Sequence, residues 1–458
     1  YDSDQKIEKL KHSQMEHVVI IGNGISGVTA ARHIRKKSDK RITIISSETK
    51  YFFSRTALMY IYMGHMRFED TQPYEEDFWE KNRIDLVHDY VQSIDYDKKM
   101  LQLAEYPPIH YDQLVLAVGS KPNKFGWKGQ DYHGVQGMYS KKDLDLMERN
   151  TAGITDAIIV GGGLIGVEMA EMLLTRNIKV TFLIREDRFW GGVLPLEDGL
   201  LVTNNLEKHH GLTLRFEEEL EEIVPDDEKR AKEVITKNGE HIPCQFVGLT
   251  AGVSPNIDFL KGGALEIERG ILVNPDLSTN IPDVYAIGDC AQFKQPNGER
   301  KSLEQVWYTG RMMGEAVALT LTGTPTDYKP GIWFNSAKFF DLEYQTYGWV
   351  WNELKENEEE FIWKPEDKEL LLHFVFDKET HEFKGINTFG IRLRHELFDK
   401  WLTEKATIEK VMENLRLANF DPEFFKKYEK DIIAKFNNKF SGYLKLYNRK
   451  WWIKELSA

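Results

Sequence analysis

At 458 residues the chain is long enough for about three domains, and with 41% hydrophobic and 12% aromatic residues it can fill packed cores, which excludes a disordered chain. A formal net charge of −13 disfavours nucleic acid, a polyanion that needs a basic footprint. Two cysteines, Cys244 and Cys290, stand too far apart for a CxxC pair, so neither a disulfide framework nor a cysteine-held metal is expected, and a reducing compartment, the cytoplasm, is the expected location.

Up to Glu16 the sequence is polar and charged, the pattern of a loose arm or short helix without the apolar core of a signal peptide. No window holds 18 uninterrupted apolar residues, so no spanning helix is predicted. From His17 the pattern reads strand (HVVII), glycine turn (GNGISG), helix (VTAARHIRKK), strand (RITIIS), which is one βαβ unit. Gly22 permits the tight turn, Gly24 lets backbone approach a pyrophosphate, and Gly27 lets the helix pack close to the sheet. Ile25 and Ser26 open the helix, whose free N–H groups favour phosphate. Glu48 ends the second strand, 21 residues after Gly27, where a carboxylate accepts hydrogen bonds from ribose hydroxyls.

LVLAVGSKP at Leu114–Pro122 predicts an apolar strand stopped by Gly and Pro. A second copy of the βαβ pattern starts at Asp156: strand (DAIIV), turn (GGGLIG), helix (VEMAEMLLTR), strand (KVTFLI). Gly161, Gly163 and Gly166 repeat the first turn, with Leu164, Ile165 and Glu168 in the helix start. Two cradles imply two dinucleotides. At the end of the second strand the acid position holds Ile184, with Arg185 next to it. A cation there favours a 2′-phosphate, and NADPH is expected slightly ahead of NADH. The alternative gives the ribose to Glu186 or Asp187 and leaves Arg185 in solvent.

Further on, DVYAIGDC predicts a strand after a Pro-bounded loop. Beyond Tyr328 aromatic residues multiply. IWFNSAKFFDLEYQTYGWV reads as strands, LLLHFVFDKETHEFKGINTFG as a hairpin, and the region from about Leu397 as helical. The fold class is therefore α/β: two Rossmann-like dinucleotide-binding domains plus a C-terminal α+β domain. The expected boundaries are 16–124 with 255–328 for the first, 125–254 for the second and 329–458 for the third.

With these motifs in order, the stretch from about Val18 to Gly348 resembles the pyridine nucleotide-disulfide oxidoreductase superfamily of FAD/NAD(P)H flavoproteins. LVLAVGSKP is similar to the segment joining its nucleotide domains, and NIPDVYAIGDCAQF to its second FAD motif, in which Asp289 beside Gly288 would hold the ribitol. The resemblance implies FAD contacts from Gly22, Gly24, Ile25, Ser26, Gly27, Glu48, Arg55, Thr56, Ala117, Gly119, Gly288 and Asp289. It implies NAD(P)H contacts from Gly161, Gly163, Leu164, Ile165, Gly166, Glu168, Arg185 and Gly252, with Glu168 orienting the nicotinamide. Surface solvation is the plain alternative for Arg55 and for Glu168.

The thiol branches of the superfamily carry a redox cysteine in a segment similar to Phe52–Tyr60, where this chain has Thr56 near the equivalent place. No side chain is then catalytic: hydride passes between cofactors, and the protein supplies geometry and electrostatics. The chain is most similar to ferredoxin and rubredoxin reductases and to the flavin module of NADH-dependent nitrite reductases. The expected function is a NAD(P)H oxidoreductase serving a one-electron carrier protein. A peripheral-membrane quinone reductase and an apoptosis-inducing-factor-like binding flavoprotein are the alternatives. The C-terminal Lys445, Tyr447, Arg449, Lys450, Trp451, Trp452 and Lys454 fit a docking face, a membrane interface or a packed helix. Arg392, Arg394 and His395 form a second small cationic cluster.

Overall fold

The computed structural model describes residues 15–296, 298–421 and 426–447. The first fourteen residues and Arg449, Lys450, Trp451, Trp452 and Lys454 of the basic-aromatic tail lie outside these. The chain divides into two compact units. One gathers the described residues up to Ile154 with Pro225–Ala231 and Phe246–Pro330; the other gathers Thr155–Val224, Lys232–Gln245 and the described residues from Gly331 onward.

The first unit is built on a five-stranded parallel sheet, in the order Val284–Ala286, Gln113–Leu116, His17–Ile21, Arg41–Ser46, Ile84–His88. A parallel sheet covered on both faces needs continuous apolar strands, and every residue of His17–Ile21 is buried. The helix Ile25–Lys37 ends on Arg35, Lys36 and Lys37, cations that suit the negative end of its dipole. It packs against the helix Trp307–Leu321 at two glycines. A Cβ on Gly314 would stand 2.5 Å from the Ser26 carbonyl oxygen, and one on Gly310 2.7 Å from the Ser26 hydroxyl. The chain leaves the sheet through Ser120–Pro122, which pairs antiparallel with Val253–Pro255. A small antiparallel meander, Val91–Asp95, Met100–Leu103 and Ile109–His110, completes the unit.

The second unit repeats the motif with Leu212–Phe216, Lys179–Ile184 and Asp156–Val160 in parallel and the helix Leu164–Thr175. It also contains a five-stranded antiparallel sheet, in the order Phe334–Phe339, Leu342–Gly348, Phe383–Phe389, Leu371–Asp377, Glu358–Trp363. Helices His395–Thr403, Ile408–Glu413 and Glu429–Phe440 follow, and Phe398, Val411 and Phe436 bury their side chains with Phe361, Trp363 and Phe374 of the sheet. Trp333, just before the first strand, stacks on Trp349, and Trp349 on Trp351, both just past the second, with planes within 5° of parallel and centroids 5.4 and 4.8 Å apart.

One buried polar chain ties the helix Leu196–Glu207 to this sheet. Asp198, 0% exposed, accepts from His373 Nδ1 at 2.8 Å and from Asn387 Nδ2 at 2.7 Å, while His373 Nε2 lies 2.9 Å from Glu360. Burial works against a charged imidazole, but Asp198 and Glu360 outweigh it and raise His373 to about 9.

Candidate functional site: two glycine cradles

Each cradle forms where a buried parallel strand meets a helix. In the first, Gly22 has φ +114°, and a Cβ there would sit 2.1 Å from the Ala117 carbonyl oxygen, so only glycine fits the turn. Gly27 is equally confined, its Cβ position 2.1 Å from the Gly22 oxygen. Gly24 is different: nothing lies within 4 Å of where its Cβ would be. Gly24 also N-caps the helix with no side-chain bond to the first turn, and no acid stands in that turn. Open space before uncapped N–H groups is what a phosphate requires. Ile25 is half-buried in the first turn, and Ser26 is buried under Gly288, whose Cβ position is 2.4 Å from the Ser26 hydroxyl.

Around this cradle the first unit gathers its acids. Glu48 is held by a bidentate pair with Arg55 (Nη1–Oε1 3.0 Å, Nη2–Oε2 2.6 Å) and by the Lys141 amide at 2.7 Å. Arg55 also donates to the Tyr139 carbonyl at 2.8 Å, and its guanidinium lies 4.6 Å from the Tyr139 ring centre. Burial opposes the charge on Arg55, yet Glu48 holds its pKa above the ordinary value. The Tyr139 hydroxyl donates to Asp289 Oδ2 at 3.2 Å and accepts from the Ser120 amide at 3.1 Å. Burial raises the Asp289 carboxyl, against the opposing pull of Ser120, Tyr139 and Arg55. Gly119, with φ +67°, brings its Cβ position to 3.1 Å from the Tyr139 hydroxyl. Thr56 faces solvent, its hydroxyl 3.2 Å from that of Ser54.

Tyr139 and Ser120 are partners that sequence reading did not pick out. The local signal is the Ser140-x-x-Asp143 capping box at the start of the helix Lys141–Asn150, which fixes the backbone beside Tyr139. The contact to Asp289 spans 150 residues and leaves no local trace.

The second cradle repeats the first. Gly161 has φ +113°, Gly163 N-caps its helix without a side-chain bond, and the Cβ position of Gly163 is open to 4 Å. Leu164 and Ile165 are half-buried in the first turn and Gly166 is buried. Glu168 reaches solvent, but crowding by surrounding protein and the nearby Glu171 raise its carboxyl to about 7. Gly252, expected with this group, belongs to the first unit, where its carbonyl accepts from the Asn123 amide at 3.1 Å.

Strand register gives the acid expected in the second cradle an alternative place. His17 pairs with Arg41 and Ile21 with Ile45, so Glu48 stands three residues beyond the partner of the last strand residue. Asp156 pairs with Lys179 and Val160 with Leu183, and three residues on is Glu186, not Ile184. Ile184 is wholly buried within the strand. Arg185 is 75% exposed and pairs with Glu186 at 3.1 Å.

Both cysteines are buried and outside any disulfide: Cys244 follows the short strand His241–Pro243, and burial pushes the Cys290 thiol up to about 12. Such a thiol is inert at neutral pH. Among the described residues no helix is long and apolar enough to cross a membrane.

Residues 16–314 match the model of a family described as pyridine nucleotide-disulphide oxidoreductase. The chain is 32% identical over 282 residues to the NAD(P)H nitrite reductase of Bacillus subtilis, covering 61% of this chain but 35% of that one. It is 28% identical over 312 residues to the NADH-rubredoxin oxidoreductase of Clostridium acetobutylicum, covering 68% and 76%. In fold it is similar to the crystal structure of a ferredoxin reductase from Rhodopseudomonas palustris, at TM-score 0.75 and 21% identity over 92% of this chain and 99% of that one. The chain thus spans about a third of the nitrite reductase it matches.

Proposed function

Because the chain belongs to the pyridine nucleotide-disulphide oxidoreductase family, we propose that it binds FAD in the first cradle and a nicotinamide dinucleotide in the second and passes electrons on to a one-electron carrier protein. The observation that carries this reading is the pair of open, uncapped cradles, each followed in the same register by a glutamate. The relatives named as a rubredoxin oxidoreductase and a ferredoxin reductase support a rubredoxin- or ferredoxin-like acceptor. In this reading residues 16–124 and 255–328 form the FAD domain, 125–254 the nicotinamide domain and 329–458 the C-terminal domain.

FAD, when bound, supplies a two-electron acceptor able to release electrons singly. Gly22, Ala117 and Gly27 shape the first turn, and Gly24, Ile25 and Ser26 would face the pyrophosphate. Glu48 would accept from a ribose hydroxyl: Arg55 and Lys141 fill Oε1, and Oε2 retains a lone pair. Asp289, beside Gly288, would orient the ribityl chain, with Gly119 near it. Gly161, Gly163, Leu164, Ile165 and Gly166 would hold the second pyrophosphate, and Glu168 would lie by the nicotinamide. Glu186 favours NADH over NADPH, because a carboxylate accepts from ribose hydroxyls and repels a 2′-phosphate. No protein thiol takes part.

Anaerobic mixing with NADH or NADPH tests the reading through bleaching of the flavin, followed by addition of rubredoxin or ferredoxin. NADH should bleach at least tenfold faster, and the carrier should restore the colour within turnover time. A chain that stays colourless with added FAD overturns it.

A further inference from the structure

The two acids assigned to FAD belong to different parts of the sequence, yet one side chain touches the supports of both. Tyr139 receives Arg55 on its carbonyl (2.8 Å) and against its ring (4.6 Å), and Arg55 in turn grips Glu48 with both terminal nitrogens. The tyrosine hydroxyl sits between Asp289 Oδ2 (3.2 Å) and the Ser120 amide (3.1 Å). Its own amide is fixed by Asp143 Oδ2 at 3.0 Å, the acid of the capping box. Ser120 is secured by Gln305, which donates to its hydroxyl at 2.7 Å. Every polar atom of Tyr139 therefore has a partner, and the residue cannot turn without releasing Asp289 or Arg55.

We propose that Tyr139 is a positioning residue for FAD, coupling the ribose acid Glu48, through Arg55, to the ribityl acid Asp289. The inference rests on the assignment of the first cradle to FAD. The hydroxyl donates to Oδ2 of Asp289, whose carboxyl the Ser120 side chain also hydrogen-bonds, and so restrains the orientation of the carboxylate. It also favours the carboxylate over the acid, since a hydrogen bond to the charged form stabilises that form. The titratable groups around Asp289 are Tyr139, Cys290 and Arg55 with its partner Glu48. Without the hydroxyl, Asp289 should protonate at higher pH, lose its preferred rotamer and hold the ribityl chain less well.

The test measures FAD affinity of the full chain by flavin fluorescence between pH 5 and pH 8. Tyr139→Phe removes the hydroxyl alone. Its dissociation constant should rise about tenfold at pH 7, the loss of one hydrogen bond to a charged group. The acid-side midpoint of FAD release should move up by roughly half a unit or more. In an Asp289→Asn background the same change should cost less than threefold, because its charged partner is gone. Difluorotyrosine at position 139, an isosteric and stronger donor, should move the midpoint down, and it keeps the test open if the Phe chain does not fold. Wild-type affinity and an unmoved midpoint in Tyr139→Phe, or no shift with difluorotyrosine, overturn the inference while leaving the FAD assignment intact. A wild-type chain that takes up no FAD overturns both.

Discussion

At the scale of single residues, the glycines of one motif do separate jobs, and this makes fold and ligand binding separable by mutation. Gly24 has an ordinary backbone, φ −71°, and open space at its Cβ position, whereas Gly22 meets the Ala117 oxygen at 2.1 Å. Gly24→Val should therefore keep the melting temperature of the FAD-free wild-type chain within about 2 °C but lower FAD content at least tenfold; Gly22→Val should yield little folded protein. Differential scanning fluorimetry and flavin absorbance distinguish the two. Glu168 makes a pH prediction. Its carboxyl, raised to about 7, ionises as pH rises through neutrality, and in the proposed placement a carboxylate there would favour a cationic nicotinamide ring. Stopped-flow reduction should accelerate severalfold between pH 6 and 8, and Glu168→Gln should flatten that step. Thr56→Cys should leave FAD content and reduction rate near wild type, because Thr56 faces solvent and bonds only locally. For nucleotide choice, Glu186→Ala should raise the KM for NADH about tenfold and narrow the gap to NADPH, with Arg185 then free of its partner.

Among elements, what could be read from the sequence depended on how much one segment says by itself. The strands His17–Ile21, Arg41–Ser46, Asp156–Val160 and Lys179–Ile184 fall where their apolar runs place them, because a strand buried on both faces needs no alternation. The hairpin of Leu371–Asp377 with Phe383–Phe389 was equally legible from the polar DKETHE turn between two apolar runs. The meander Val91–Ile109 was not, since its strands are short and interrupted by charges. The second acid was the least legible part, because a strand can be read from composition but its register against a neighbour cannot; pairing brings Glu186, and not only Ile184 and Arg185, into play as the proposed ribose acid. Helix packing was also silent in the sequence. Gly310 and Gly314 admit the helix Ile25–Lys37 so closely that Gly314→Ala would push on the Ser26 backbone. A loss of about 1–3 kcal/mol is expected by denaturant titration, together with weaker FAD binding, since that helix carries the first cradle.

Across the whole molecule, the second glycine cradle and the antiparallel sheet share one compact unit, joined through Asp198, His373 and Glu360. A histidine raised from 6.5 to about 9 adds stability that is complete below pH 6.5 and lost as pH climbs through 9. The full effect is on the order of 3 kcal/mol. The melting temperature should therefore fall between pH 7 and pH 10. His373→Leu should abolish that slope and cost about 3–5 kcal/mol at neutral pH by leaving Asp198 buried and unmatched. The indole stack offers a way to watch this happen. Three stacked chromophores, 5.4 and 4.8 Å apart, must share their excited states, so the ultraviolet circular dichroism of Trp333, Trp349 and Trp351 should show a split couplet that Trp349→Phe abolishes and Trp333→Phe or Trp351→Phe only weakens. Visible absorption would follow one half of the protein and this couplet the other, giving each its own optical clock during unfolding.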